Sequence, residues 1–121
     1  MKLSNAMVFV SDMAESARFY RDTIGLPLKF ESPEWTEFAT EGATFALHNT
    51  HETAKLQTNE KAPGLCQPGF SVEDLGAFHQ RMLDAGVECI QPPRHVFGTQ
   101  IAKYADPDGL VILISEITEG I

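Results

Sequence analysis

Two stretches of this 121-residue chain, 5–47 and 67–114, carry the same order of residues, and a repeat of that length restricts the fold more than any other feature. Val10-Ser11-Asp12-Met13 opens a helical stretch that closes near Gly25; Val72-Glu73-Asp74-Leu75 opens another that closes near Gly86. The offset is 62 between Asp12 and Asp74 and 61 between Gly25 and Gly86, a slip of one residue inside the helix. Farther on, Glu41-Gly42-Ala43-Thr44-Phe45-Ala46-Leu47 matches Asp108-Gly109-Leu110-Val111-Ile112-Leu113-Ile114 at an offset of 67. A copy of about 60 residues is marginal alone, because a small domain buries too little of its surface. The repeat therefore predicts one domain, 1–121, built of two modules. These span about 1–49 and 67–118, joined by a linker loop over 50–66. A duplicated module predicts a pseudo-symmetric pair of sheets with a natural site between its copies.

Residues 5–10 alternate as a strand, with Ala6, Val8 and Val10 on one side and Asn5, Met7 and Phe9 on the other. Ser11 or Asp12 caps the helix that follows, and Asp12 with Glu15 three residues on reads as a capping box. Met13, Ala17, Tyr20 and Ile24 then share a helical face, and Gly25 terminates the helix. Three short segments, 27–31, 34–39 and 43–48, read as a strand meander. The second copy repeats this: a strand over 67–72, a helix from Asp74 to Gly86 with Leu75, Phe78, Met82 and Ala85 inward, and strands over 88–91, 100–105 and 110–115. Residues 92–98 read as a turn-rich loop, and Asp106-Pro107-Asp108-Gly109 as a tight turn. Each module is thus strand–helix–strand–strand–strand. The tail 116–121 has no assigned role.

The net charge of −8 and the lack of a basic patch predict no nucleic-acid partner, while accommodating a cationic ligand. Cys66 and Cys89 form no metal-binding or redox spacing and read as reduced and mostly buried, as in a cytoplasmic protein. The N-terminal residues do not read as a signal peptide, and no apolar run approaches the roughly 18–20 residues of a membrane span. The expectation is a cytoplasmic protein with no membrane association.

This layout resembles the vicinal oxygen chelate superfamily, which includes glyoxalase I, bleomycin resistance proteins, fosfomycin resistance proteins and extradiol dioxygenases. The residues carrying the resemblance are Val8-Phe9-Val10-Ser11-Asp12-Met13, then Phe19-Tyr20-Arg21-Asp22 before Ile24-Gly25-Leu26. In the second half they are Phe70-Ser71-Val72-Glu73-Asp74 and Asp106-Pro107-Asp108-Gly109 before the last strand. The resemblance implies an α+β fold in which two tandem βαβββ modules form a cup-shaped, partly open β-barrel, paired as a homodimer. It also implies a metal site with one ligand from the first and last strand of each module. Mapped by the repeat, those places are Asn5, Ala46, Gln67 and Leu113.

Ala46 and Leu113 have no ligand atom, and Asn5 and Gln67 offer only neutral carbonyl oxygens, so no metal and no other cofactor is predicted. Instead, Asn5, Met7, Phe9, Trp35, Ala46, His48, Gln67 and Leu113 are read as lining a site for a small molecule. No catalytic residue is assigned; His48 is the candidate, as a general base. Trp35 reads either as packing or as an aromatic wall, and Glu37 either as an anionic contact or as a solvated edge residue. Lys103 and Tyr104 are adjacent on one strand, so only one points inward; His79 reads as exposed on its helix and His95 as part of a loop. The leading expectation is a small-molecule-binding protein of the bleomycin-resistance-like branch, where binding itself is the activity. The alternative is a divalent-metal-dependent lyase, transferase or dioxygenase with displaced ligands at His48, His51 and Glu52. A third reading is a structural or regulatory module whose cup is filled by Met7, Phe9 and Leu113.

Overall fold

A computed structural model describes residues 1–52, 63 and 65–117. Most of the expected linker (53–62 and 64) and the tail 118–121 lie outside the described residues. The chain divides into two compact units, Met1–Leu56 and Gln57–Ile121.

The first unit runs β1 (Asn5–Val10), α1 (Met13–Arg18) with a π-helical turn over Phe19–Ile24, β2 (Leu28–Glu31), β3 (Trp35–Phe38) and β4 (Thr44–Asn49). The second runs β5 (Gly69–Val72), α2 (Leu75–Asp84), β6 (Cys89–Val96), β7 (Thr99–Ala105) and β8 (Val111–Glu116). Each is βαβββ with a four-stranded mixed sheet, in the orders β1-β4-β3-β2 and β5-β8-β7-β6, and neither sheet closes on itself. The last strand of each meander returns parallel to the first, and the registers match across the repeat. Met7 faces Ala46 and Phe9 faces His48; Gly69 faces Leu113 and Ser71 faces Ser115.

The helix starts are also duplicated. Asp12 (φ −135°, ψ 100°) accepts a hydrogen bond from the Glu15 N–H at 3.1 Å, and Asp74 (φ −132°, ψ 98°) accepts one from the Ala77 N–H at 3.0 Å. Each satisfies one of the donors that a helix N-terminus leaves open. The N–H of Leu75 is taken by the Glu116 carboxylate at 3.0 Å, which gives the first residue of the supposed tail a place at the end of β8 and a role in capping α2.

The one-residue slip has a physical form. In the first unit the N–H groups of Gly25 and Leu26 both reach back to the Tyr20 carbonyl, at 3.1 and 2.9 Å. In the second, Ala85 bonds to Arg81 at 3.0 Å and Val87 to Met82 at 3.0 Å. The extra residue of the first copy is absorbed as a π turn, which widens one helical turn and leaves the core contacts in place. Tyr20 and Met82, equivalent in the repeat, are both fully buried, and Gly25 (φ 97°) and Gly86 (φ 75°) follow in the left-handed conformation.

Each helix covers one face of its own sheet. Tyr20 packs on Phe45 and Phe38, with ring centroids 4.9 and 6.3 Å apart, while Phe78 packs on Tyr104 at 5.7 Å. Strand residues alternate accordingly: Phe45 and Leu47 face α1, whereas Ala46 and His48 face away. Before β8, Asp106 is buried and its carboxylate accepts from the N–H groups of Asp108 and Leu110, both at 2.9 Å, which makes the Asp-Pro-Asp-Gly segment a rigid turn.

Several sequence expectations are corrected. Residues 92–96 are not loop: β6 runs through Pro92-Pro93 to Val96, and only Phe97-Gly98 forms the turn. β6 is an edge strand with register shifts around Gln91–Arg94, so prolines without N–H groups are accommodated there. The turn has positive φ at both central residues, 50° and 81°, the geometry that suits a two-residue hairpin. His95 is therefore on a strand, opposite Gln100. β5 begins at Gly69, which leaves Gln67 ahead of the strand, and α2 ends before Ala85, which is exposed. Cys66 is exposed because it too precedes the sheet; Cys89 is half-buried, and both are free thiols. Among the described residues no helix is long and apolar enough to cross a membrane.

Candidate functional site

The face of the first sheet turned away from α1 holds six of the eight residues expected to line a site. Asn5, Met7 and Phe9 come from β1, Ala46 and His48 from β4, and Trp35 from β3. Phe9 and Trp35 stand on either side of His48, opposite it on β1 and β3. The ring centroids are 5.6 Å apart for Phe9 and His48 and 5.8 Å for Trp35 and His48. A row of three rings thus crosses three adjacent strands. Phe9 is 59% exposed and Phe30, on β2, 54%, so much aromatic surface is left uncovered. Ala46, fully buried between Met7 and Glu37, forms the floor of this face.

A polar chain continues from the aromatic row. The Trp35 indole N–H donates to Glu37 at 2.8 Å, and Lys29 lies 3.6 Å from the other Glu37 oxygen while donating to the Thr44 hydroxyl at 3.3 Å. Glu37 is therefore neither an idle edge residue nor a bare anion: it orients Trp35 and is offset by Lys29. Trp35 is half-buried. Lys29 was not legible as a site residue, because strict alternation places it opposite its neighbour Phe30. A bulge between Leu28 and Phe30 lets both reach the same face.

Gln67 and Leu113 belong to the second unit. Leu113 faces Gly69 and Lys103 across its strand neighbours; Gln67 lies before β5 and is half-buried. The choice between Lys103 and Tyr104 is settled: Tyr104 is fully buried on the helix side, so Lys103 stands on the opposite face, half-buried. His79 is not exposed but half-buried, because its Nδ1 lies 2.9 Å from the Tyr104 hydroxyl. Burial chiefly, and then the nearby Cys89 thiolate, push the Tyr104 phenol up to about 12. Burial also pushes the Cys89 thiol up, partly offset by a hydrogen bond from the Gln91 backbone, which leaves it a poor nucleophile.

The four places implied for a metal do not fit one. A methyl group and an isobutyl group offer no donor atom, and two neutral amides do not replace carboxylates or imidazoles. Nor are the displaced ligands drawn together. His48 is engaged by its ring neighbours, whereas His51 (φ 61°) turns its Nε2 to Glu34, 2.7 and 2.9 Å from the two oxygens. Among the described residues no group of three or more His, Cys, Asp or Glu side chains is placed to hold a metal ion.

Comparison with known proteins adds the following. A family model described as Glyoxalase/Bleomycin resistance protein/Dioxygenase superfamily matches residues 2–114. The uncharacterized protein YraH of Bacillus subtilis (strain 168) is 28% identical over 131 residues of alignment, covering 94% of this chain and 97% of its own. Among solved structures, a protein of unknown function from Agrobacterium tumefaciens str. C58 superposes with a TM-score of 0.77 at 26% identity, covering 98% of this chain and 95% of that one. Lactoylglutathione lyase from Agrobacterium tumefaciens superposes with a TM-score of 0.72 at 17% identity, covering 93% and 91%. The last is a likeness of fold.

Proposed function

Because the chain belongs to the glyoxalase/bleomycin resistance protein/dioxygenase superfamily, we propose that it works as a small-molecule-binding member that uses an aromatic sheet face in place of a metal centre. The observation that carries this reading is the row Phe9–His48–Trp35, with its indole N–H fixed by Glu37. Adjacent rings of this kind favour a flat, largely apolar ligand, and an offset-stacked ring gains about 1 kcal/mol beyond its buried area. His48 is the polar group best placed to hydrogen-bond or exchange a proton with such a ligand, because a neutral imidazole has one donor and one acceptor nitrogen. The net charge of −8 admits a cationic ligand, although Lys29 already offsets Glu37 on this face. The protein is further proposed to act as a homodimer, with no nucleic-acid partner.

Trp35 is the only tryptophan, so its emission reports on the site directly. Titrating a panel of planar aromatic compounds in the presence of a chelator should give saturable quenching for at least one compound. Phe9→Ala should weaken that binding about fivefold, the equivalent of roughly 1 kcal/mol. Binding that disappears with chelator, or stoichiometric metal that is lost in His48→Ala, would overturn the reading in favour of a displaced metal site.

A further inference from the structure

The second copy of the module extends a hairpin that stays short in the first. β6 and β7 run for eight and seven residues, whereas their counterparts β2 and β3 run for four each. The pairing of β7 with β8 begins at Ile101–Ser115, but β6 and β7 stay paired farther out, through His95–Gln100 and Val96–Thr99. The Phe97-Gly98 turn therefore stands beyond the three-stranded part of its sheet. Phe97 is fully exposed there, and its φ of 50° is one that a bulky side chain rarely adopts. A two-residue turn of this geometry favours asparagine at that position. One exposed aromatic ring is ordinary by itself; one that also holds its backbone in an unfavourable region points to a functional constraint. Arg94 and His95, just ahead of the turn, are exposed as well. The charge of the hairpin also differs from that of the rest. All 17 Asp and Glu residues lie outside 89–105, on a chain whose net charge is −8.

We infer that the Phe97 tip of the β6-β7 hairpin, with Arg94 and His95 behind it, docks on the acidic surface of a second copy of this chain. This rests on the homodimer reading and assigns the surface that forms the dimer. An aromatic ring accompanied by an arginine is the composition found at the centre of protein interfaces. A second copy supplies the complementary charge, since its acids, among them the exposed Glu41, Glu73 and Glu88, all lie outside the hairpin. Two-fold pairing lets each hairpin reach the other copy, so the contact closes instead of growing into a filament. Pro92 and Pro93 remove two N–H groups from the β6 edge, which opposes strand addition along it and leaves the contact to side chains at the tip.

The test is sedimentation velocity on the full chain across a concentration series, at low and at high sodium chloride. The wild type should dimerise, with an affinity that falls as salt rises. Phe97→Asn should weaken the dimer about thirtyfold, the loss expected at an interface centre. It should keep the fold, as circular dichroism would show, because asparagine suits the left-handed position before Gly98. Arg94→Glu should weaken the dimer about tenfold at low salt and less at high salt. A wild-type dimer whose affinity is unchanged in both Phe97→Asn and Arg94→Glu would overturn the inference while leaving the homodimer reading intact. A wild type that is monomeric at every concentration would overturn both. If that monomer sediments with phosphatidylserine vesicles and Phe97→Asn does not, the tip is a membrane contact instead.

Discussion

The exposed faces of the two sheets differ at every position that carries chemistry. Phe9, His48 and Trp35 on the first correspond to Ser71, Ser115 and Ile101 on the second, and Glu37 corresponds to Lys103. The helix-covered faces differ far less: Asp12 and Asp74 cap alike, Tyr20 and Met82 are both fully buried, and Phe38 and Tyr104 occupy one equivalent position. The asymmetry has a physical origin. A covered face must fill a fixed volume at the density of a protein interior, so only size and apolarity can vary little there. An uncovered face meets no such demand, and the two copies carry different side chains there.

The largest effects should fall on the positions the copies share. Tyr20→Ala should cost about 4 kcal/mol and Met82→Ala about 3 kcal/mol, because each empties a fully buried volume beneath a helix. Thermal unfolding followed by circular dichroism checks this and tests the domain expectation as well. A single shifted transition in both variants supports one cooperative domain; two separated transitions would mean that the units unfold independently.

Loss of either helix cap should matter less and should matter equally. Asp12→Ala and Asp74→Ala are each expected to cost about 1 kcal/mol in denaturant unfolding. A clear inequality would break the equivalence of the helix starts, with the Glu116 carboxylate at the α2 start as its first explanation.

The smallest effect concerns the one polar difference beneath the helices. Tyr104→Phe makes the second core match the first at this position, and should cost no more than about 1 kcal/mol at neutral pH through loss of the bond to His79. Its pH dependence has a definite sign. The folded phenol holds its proton up to about 12 against an ordinary value of 10.0, so the native state binds more protons than the unfolded chain between these limits. The corresponding stability is fully present below pH 10 and is lost as the pH rises towards 12. The wild type should therefore lose stability relative to Tyr104→Phe across that window, in equilibrium unfolding series; parallel curves would contradict the burial of the hydroxyl.

Much of this was legible from residue order. The offsets of 62 and 67 gave the equivalences that the strand registers reproduce, and even the one-residue slip pointed to a real feature, the π turn before Gly25. Alternation along β1 correctly grouped Asn5, Met7 and Phe9. What escaped were features created by irregular pairing. A bulge turned Lys29 towards Thr44, and an edge position let β6 run through Pro92-Pro93. His79 looked exposed because a helix position alone does not reveal a tyrosine hydroxyl arriving from a strand 25 residues away.

The sequence by itself determined the repeat, the helix starts, the α+β class and the absence of donor atoms at Ala46 and Leu113, since each follows from residue type and spacing along the chain. Only the tertiary structure decided that Phe9, His48 and Trp35 form one row, that Glu37 is held by Trp35 and Lys29, and that the Gln91 amide is buried beside Lys103. Those contacts cross strands, and cross-strand neighbours are fixed by register and bulges rather than by proximity in the chain.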